Sequence, residues 1–290
     1  MKRLGLMLAV GGALLARVPA GAEIRVVGSD LLGDGFARVV ADYARQSGTV
    51  VRLDLRGSRP GLVELEQGRA DVALLLLPAG EDPPAAPLVS RVIAYEVAVV
   101  MVPAVSPLRQ VTGPQLRGLF GQSAGDRFTR WGELNLIGEW NSRPVALLAD
   151  ATGVSFSIFR EAILGGGAAR PALERLPDAA ALIQRLAATV NAIAVAGHPA
   201  SPDDRFRILS LAASPTEPAY GPTVENVHAG NYPLRLPFQV AFARAAAPGL
   251  QPFLKFLLSD AAGTALAPAH FVGLPAGVRQ QLLLELEEIR

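Results

Sequence analysis

Five consecutive segments after residue 22 alternate in kind, and no other feature of the chain restricts its fold as much. EIRVVG (23–28) is a β-type run closed by Gly28-Ser29. GFARVVADYARQSG carries apolar residues at 36, 39, 40 and 43, the spacing of one helix face, and Gly48 stops it. VVRLDLRGS alternates apolar and polar side chains, as a half-buried strand does. RPGLVELEQGRA reads as a short helix with Pro60 near its first turn and Gly68 near its end, and DVALLLLP as a buried strand. Strand, helix, strand, helix, strand in this order needs crossover helices between parallel strands, so the chain is α/β.

The pattern continues beyond a Pro-dense loop, PAGEDPPAAP (78–87). VIAYEVAVVMVP (92–103) is a strand-like run long enough to cross between two lobes. PQLRGLFGQ is a short helix, RWGEL an aromatic turn, PVALLAD a strand, and VSFSIFREAIL a helix closed by Gly165-Gly166-Gly167. PDAAALIQRLAAT and NAIAVAG are a further helix and strand, and 214–233 is expected to be irregular. LPFQVAFAR is strand-like, LQPFLKFLLSDAAGTALA gives two short helices, and VRQQLLLELEEIR a terminal one. A chain of 290 residues, half of them hydrophobic, has material for one or two domains.

MKRLGLMLAVGGALLARVPAGA opens with two cations, continues with an apolar run and ends on Ala20-Gly21-Ala22, the anatomy of a secretory signal with cleavage before Glu23. An uncleaved anchor is the alternative; Gly11 and Gly12 interrupt the run, which is short for a membrane span. Removing residues 1–22 leaves 24 cations against 26 acids, a net charge of −2, so a broad basic surface for nucleic acid is not expected. The absence of cysteine excludes disulfides and thiolate metal sites. The expected location is therefore outside the cytoplasm, most simply the periplasm.

Three strand-to-helix junctions stand out: Gly28-Ser29-Asp30, Arg56-Gly57-Ser58-Arg59 and Ala151-Thr152-Gly153. Each leaves backbone N–H groups unpaired at the positive end of a helix dipole, where anions bind. An ordinary helix cap explains any one of them alone. Catalytic chemistry is poorly represented. No serine has a G-x-S-x-G setting, and His198, His228 and His270 lie too far apart for a helical metal motif. Glu64 and Glu66 read as a solvated helix face, and Gly33-Asp34-Gly35 is an incomplete dinucleotide fingerprint. We expect no catalytic residue, no metal and no cofactor; Trp131 and Trp140 could stack on a ligand, with core packing the favoured reading for Trp131.

Several ordered fragments together resemble the PstS-like phosphate-binding proteins of ABC-type importers. They are IRVVGSDLLGDGFARVVADY, LRGSRPGLVELEQGRADVALL, PQLRGLFGQ with RWGEL, and PTVENVHAGNYPLRLP followed by FLKFLLSDAAGTALA. The resemblance implies a two-lobe, periplasmic-binding-protein-like (type II) fold with mixed, mostly parallel sheets. Lobe 1 would comprise 23–95 and 236–290, lobe 2 96–235, with hinge strands near 92–103 and 233–244. It implies a small anion, phosphate or another oxyanion, held between the lobes and delivered to an importer membrane complex. Residue by residue, Ser58 matches a hydroxyl ligand, Thr152 stands where the family has Ser, and Gly153 matches its Gly. Ser29 lies in the first Gly-Ser turn, and Asp30 stands where a hydroxyl is usual. Leu76 falls near the family's acidic acceptor, Leu148 at its anion-pairing Arg and Val154 at a Thr. Arg59 or Arg56, beside Ser58, is a candidate substitute cation, with solvated surface Arg as the alternative. A divergent receptor with a degenerate anion site follows, or else an exported protein that keeps the shell for interaction or sensing.

Overall fold

The computed structural model describes residues 23–78, 81, 84–123, 125, 127–151 and 153–289. The expected signal segment and Thr152 lie outside them. β1 (Glu23–Gly28), β2 (Val50–Asp54) and β3 (Val72–Leu76) pair in parallel in the order β2-β1-β3. Their crossovers are α1 (Gly33–Ser47) and α2 (Ser58–Glu66). α1 turns Phe36 and Val40 inward and ends on Gly48 in the left-handed conformation, φ 69°. Gly28 is required for a different reason: a Cβ there would lie 2.0 Å from the Leu74 carbonyl oxygen.

β4 (Leu88–Pro103) is the spine of the molecule. After it come β5 (Gln110–Thr112), α3 (Gly113–Phe120), β6 (Ala146–Asp150), α4 (Ser155–Leu164), β7 (Glu174–Leu176), α5 (Ala179–Ala187) and β8 (Ala192–Gly197). β9 (Phe206–Ile208), β10 (Ser210–Ala212), α6 (Val224–Ala229) and β11 (Arg235–Ala243) follow, then α7 (Ala247–Leu257), α8 (Asp260–Leu266), β12 (Phe271–Gly273) and α9 (Ala276–Glu288). The main sheet runs β2-β1-β3-β11-β4-β8-β6-β7, with β9 and β12 also on β4.

Through Val97, β4 pairs antiparallel with β11; from Ala98 it pairs with β8. The one strand thus serves both halves of the sheet, each with its own helices, and this makes the two lobes of a mixed α/β fold. The return passage is tied to the same point, because Tyr232 Oη donates to the Ala98 carbonyl at 3.0 Å and Ala98 N–H donates to the Leu234 carbonyl at 3.0 Å.

One expectation needs correction. Residues 224–229, expected to be irregular, form α6, because the Thr223 hydroxyl accepts the Asn226 N–H at 3.2 Å and Gly230 closes the turn at φ 86°. His228 is accordingly in a helix. Trp131 is core as expected: fully buried, edge-on to Trp140, with its indole N–H on the Asn191 carbonyl at 3.1 Å.

Candidate functional site: a cleft between the lobes

A cleft of about 1030 Å³ opens where β1, α2 and β3 face α4 across β11. Ser29, Asp30 and Leu31 line it from the turn after β1, Ser58 and Arg59 from the start of α2, and Leu76 from the end of β3. Val154, Ile158, Arg160 and Glu161 line the opposite wall, with Arg235 and Leu236 from β11. Four of the six residues singled out in the sequence therefore share this cleft: Ser29, Asp30, Ser58 and Arg59. Gly153 sits one residue before the lining Val154, in the left-handed conformation at φ 72°, and Thr152 is outside the described residues.

The two serines also hold the scaffold. Ser29 is buried, its Oγ accepting the Leu31 N–H at 3.3 Å while its own N–H donates to the Leu74 carbonyl at 2.8 Å. Ser58 Oγ accepts the Leu76 N–H at 2.8 Å. Each hydroxyl retains one hydrogen to donate.

The arginines divide sharply. Arg56 is bound to Asp54 at 2.6 Å and does not line the cleft. Arg59 lines it but is paired with Glu81, and Arg160 is paired with its neighbour Glu161 at 2.9 Å. Sequence reasoning missed Arg235. Its Nη1 donates to the Val227 carbonyl and to the His228 carbonyl at 2.8 Å, and its guanidinium lies 4.8 Å from the Tyr95 ring centre. No carboxylate pairs with it among the described residues. A charged residue inside the apolar run YPLRLPF was the available signal.

Beneath the floor lies a second group that the sequence did not announce. Glu96 stands directly opposite Leu236 on β11 and Phe271 on β12, so its side chain shares the face of the cleft-lining Leu236. It is 3% exposed, and Oε2 has no hydrogen-bond partner among the described residues. Burial, with Asp150 adding repulsion, pushes its carboxyl up to about 8. Asp150, at the end of β6, is also buried with Oδ1 unpartnered; burial pushes it up to about 6 while His270 and Arg175 pull it back. His270 packs its ring on Gly197 and places Nδ1 2.9 Å from the His198 carbonyl, linking the segment before β12 to the end of β8. Leu148, two residues before Asp150, is fully buried in the core. Among the described residues no group of three His, Asp or Glu is placed to hold a metal.

A family model for the PBP superfamily domain matches residues 16–261. The chain belongs to the PBP superfamily. Among known proteins it is similar to the phosphate-binding protein PstS of Pseudomonas aeruginosa, 25% identical over 282 residues that cover 90% of this chain and 85% of that one. Its fold is similar to an ABC-type phosphate transport receptor from Vibrio cholerae, with TM-score 0.70, 19% identity, and coverage of 87% and 100% of the two chains. PstS from Borrelia burgdorferi gives TM-score 0.70 at 15% identity, covering 88% and 100%. This is a divergent PstS-like member of the superfamily with its two-lobe architecture. The cleft is lined from both sides of the shared strand.

Proposed function

We propose that this chain is the exported solute-binding component of an ABC-type importer, that it captures a small solute between its lobes, and that it is not an enzyme. The observation that carries the reading is one cleft lined by residues of the turn after β1, of α2 and of β3 on one wall and of α4 on the other. Lobe 1 comprises 23–95 and 236–290 and lobe 2 96–235, so closure brings Ser29, Asp30, Ser58 and Arg59 towards Gly153 and the start of α4. The relatives are named for phosphate binding, which supports an anion as the ancestral cargo. Phosphate itself binds weakly here, because Leu76, Leu148 and Val154 supply hydrocarbon where charge and hydroxyls are needed.

The N-terminal signal pattern supports export to the periplasm, where an importer's membrane complex would receive the solute. Among the described residues no helix is long and apolar enough to cross a membrane. The test is a thermal-shift screen of the mature chain against oxyanions, organic acids and amino acids. X-ray scattering with and without each hit follows it. A ligand that both stabilises and compacts the protein is the expected result. The same three apolar residues favour a second reading, a non-transport shell for interaction or sensing; absence of any solute response across the screen would select it.

A further inference from the structure

We infer that the cleft takes a zwitterionic solute with an apolar body, its anionic group on Arg235 and its cationic group on Asp30. The inference rests on reading the cleft as a solute site, and it follows from the charges that the protein leaves unmatched there. Arg59 is neutralised by Glu81 and Arg160 by Glu161. That leaves Asp30 and Arg235, both lining the cleft and neither with an ionic partner among the described residues. One unmatched negative and one unmatched positive charge do not complement a dianion. They complement a molecule that carries one charge of each sign.

Arg235 is prepared for such a role. The two carbonyl acceptors on Nη1 and the Tyr95 ring beneath the guanidinium fix its position without cancelling its charge. Nε and Nη2 have no acceptor among the described residues, and a guanidinium presents such donors in a fork that matches a carboxylate. Asp30 is exposed, at the first position of the helical turn after Ser29, and its side chain makes no hydrogen bond among the described residues. The same lining carries hydrocarbon for an apolar body, Leu31, Leu76, Val154, Ile158 and Leu236, beside the hydroxyls of Ser29, Ser58 and Ser157.

The probes are L-leucine, L-phenylalanine and L-methionine. The controls are 4-methylpentanoate, which lacks the ammonium group, 3-methylbutylamine, which lacks the carboxylate, and inorganic phosphate. Titration calorimetry on the mature chain should give at least one amino acid binding tenfold or more tighter than either monofunctional control or phosphate. Asp30→Asn should erase the advantage of leucine over 4-methylpentanoate. Arg235→Gln should erase its advantage over 3-methylbutylamine, and Arg235→Lys should restore part of it. Arg235 also holds the end of α6, so the Asp30 variant, at an exposed side chain, carries the decision if the Arg235 variants fold poorly. Phosphate or 4-methylpentanoate binding as tightly as every amino acid overturns the inference and leaves the receptor reading standing. Amino-acid binding indifferent to Asp30→Asn also overturns it. No binding of any probe, together with a silent wider screen, removes the receptor reading as well.

Discussion

The Ser58 hydroxyl accepts the Leu76 backbone N–H at 2.8 Å, tying the start of α2 to the end of β3 within one wall of the cleft. A side chain that resembles an anion ligand is thus also a structural tie. Leu76 is nearly buried, so removing its acceptor leaves an N–H without a partner, which costs about 1–3 kcal/mol. Ser58→Ala should therefore lower the unfolding free energy by that amount, read as a lower urea midpoint, as well as weakening any ligand. An unchanged midpoint in urea would mean that water replaces the hydroxyl at no cost.

Gly28 offers a sharper test of the same corner. Its φ is 139°, and an added Cβ would stand 2.0 Å from the Leu74 carbonyl oxygen, which is backbone and cannot swing aside. Gly28→Ala should cost more than about 3 kcal/mol, at the exceptional end for single substitutions. Gly33→Ala, at φ 68° and ψ 176° with nothing within 4 Å, carries only the backbone strain of that glycine-only region, about 1–3 kcal/mol. Circular dichroism melts of the two variants should separate clearly in Tm.

The first five elements were legible because their apolar periodicity, Gly stops and Pro60 all point the same way, and β1, α1, β2, α2 and β3 follow in that order. α6 was not, because six residues give too little period to count; a Thr223 cap and a left-handed Gly230 define it instead. The junctions carrying Ser29, Asp30, Ser58 and Arg59 could be read locally, since a turn between strand and helix is a local pattern. Arg235, Glu96 and Asp150 could not. Glu96 meets the floor of the cleft only through its partners Leu236 and Phe271, 140 and 175 positions away. Arg235 matters because of which other arginines are neutralised, a fact of three dimensions.

The buried acids beneath the floor predict a pH dependence with a definite sign. Unfolded, Glu96 and Asp150 titrate near 4.5 and 3.8; folded, they hold their protons up to about 8 and about 6. Between these values the unfolded chain binds fewer protons, so stability falls as pH rises. The contribution is fully present below pH ~4 and is lost through about 6 for Asp150 and about 8 for Glu96. A shift of this size corresponds to a few kcal/mol. His198, held below its usual value by burial, acts in the opposite sense over the acid end, so the decisive comparison is with a variant. Glu96→Gln should flatten the decline of Tm between pH 5 and 8. A variant whose slope matches the parent's would show that Glu96 ionises normally in the folded chain.

Phosphate affinity gives the final prediction. A dianion drawn out of water needs donors and opposite charge, and a buried charge deprived of its partner costs about 3–5 kcal/mol. The position where the PstS resemblance calls for an anion-pairing Arg is Leu148, which lies wholly in the core and offers the ligand nothing. That loss corresponds to roughly two to four powers of ten in Kd. The N–H groups and dipole at the start of α4 recover on the order of 1 kcal/mol, and up to ~2 where they are partly buried. Unpaired Asp30 on the facing wall opposes a dianion further. Arg59 does not make up the deficit, because Glu81 already holds it; Arg56 does not either, because it is bound to Asp54 outside the cleft. Calorimetry should find phosphate binding no tighter than the high-micromolar range, about 10⁻⁴ M or weaker. Arg59→Ala and Arg56→Ala should leave that value within about threefold, and Arg235→Gln should weaken it most, since Arg235 alone among the cleft arginines has no carboxylate partner in the described residues. Nanomolar phosphate binding that survives Arg235→Gln would mean that backbone N–H groups and hydroxyls suffice to hold the dianion, and the argument from Leu148 would fail.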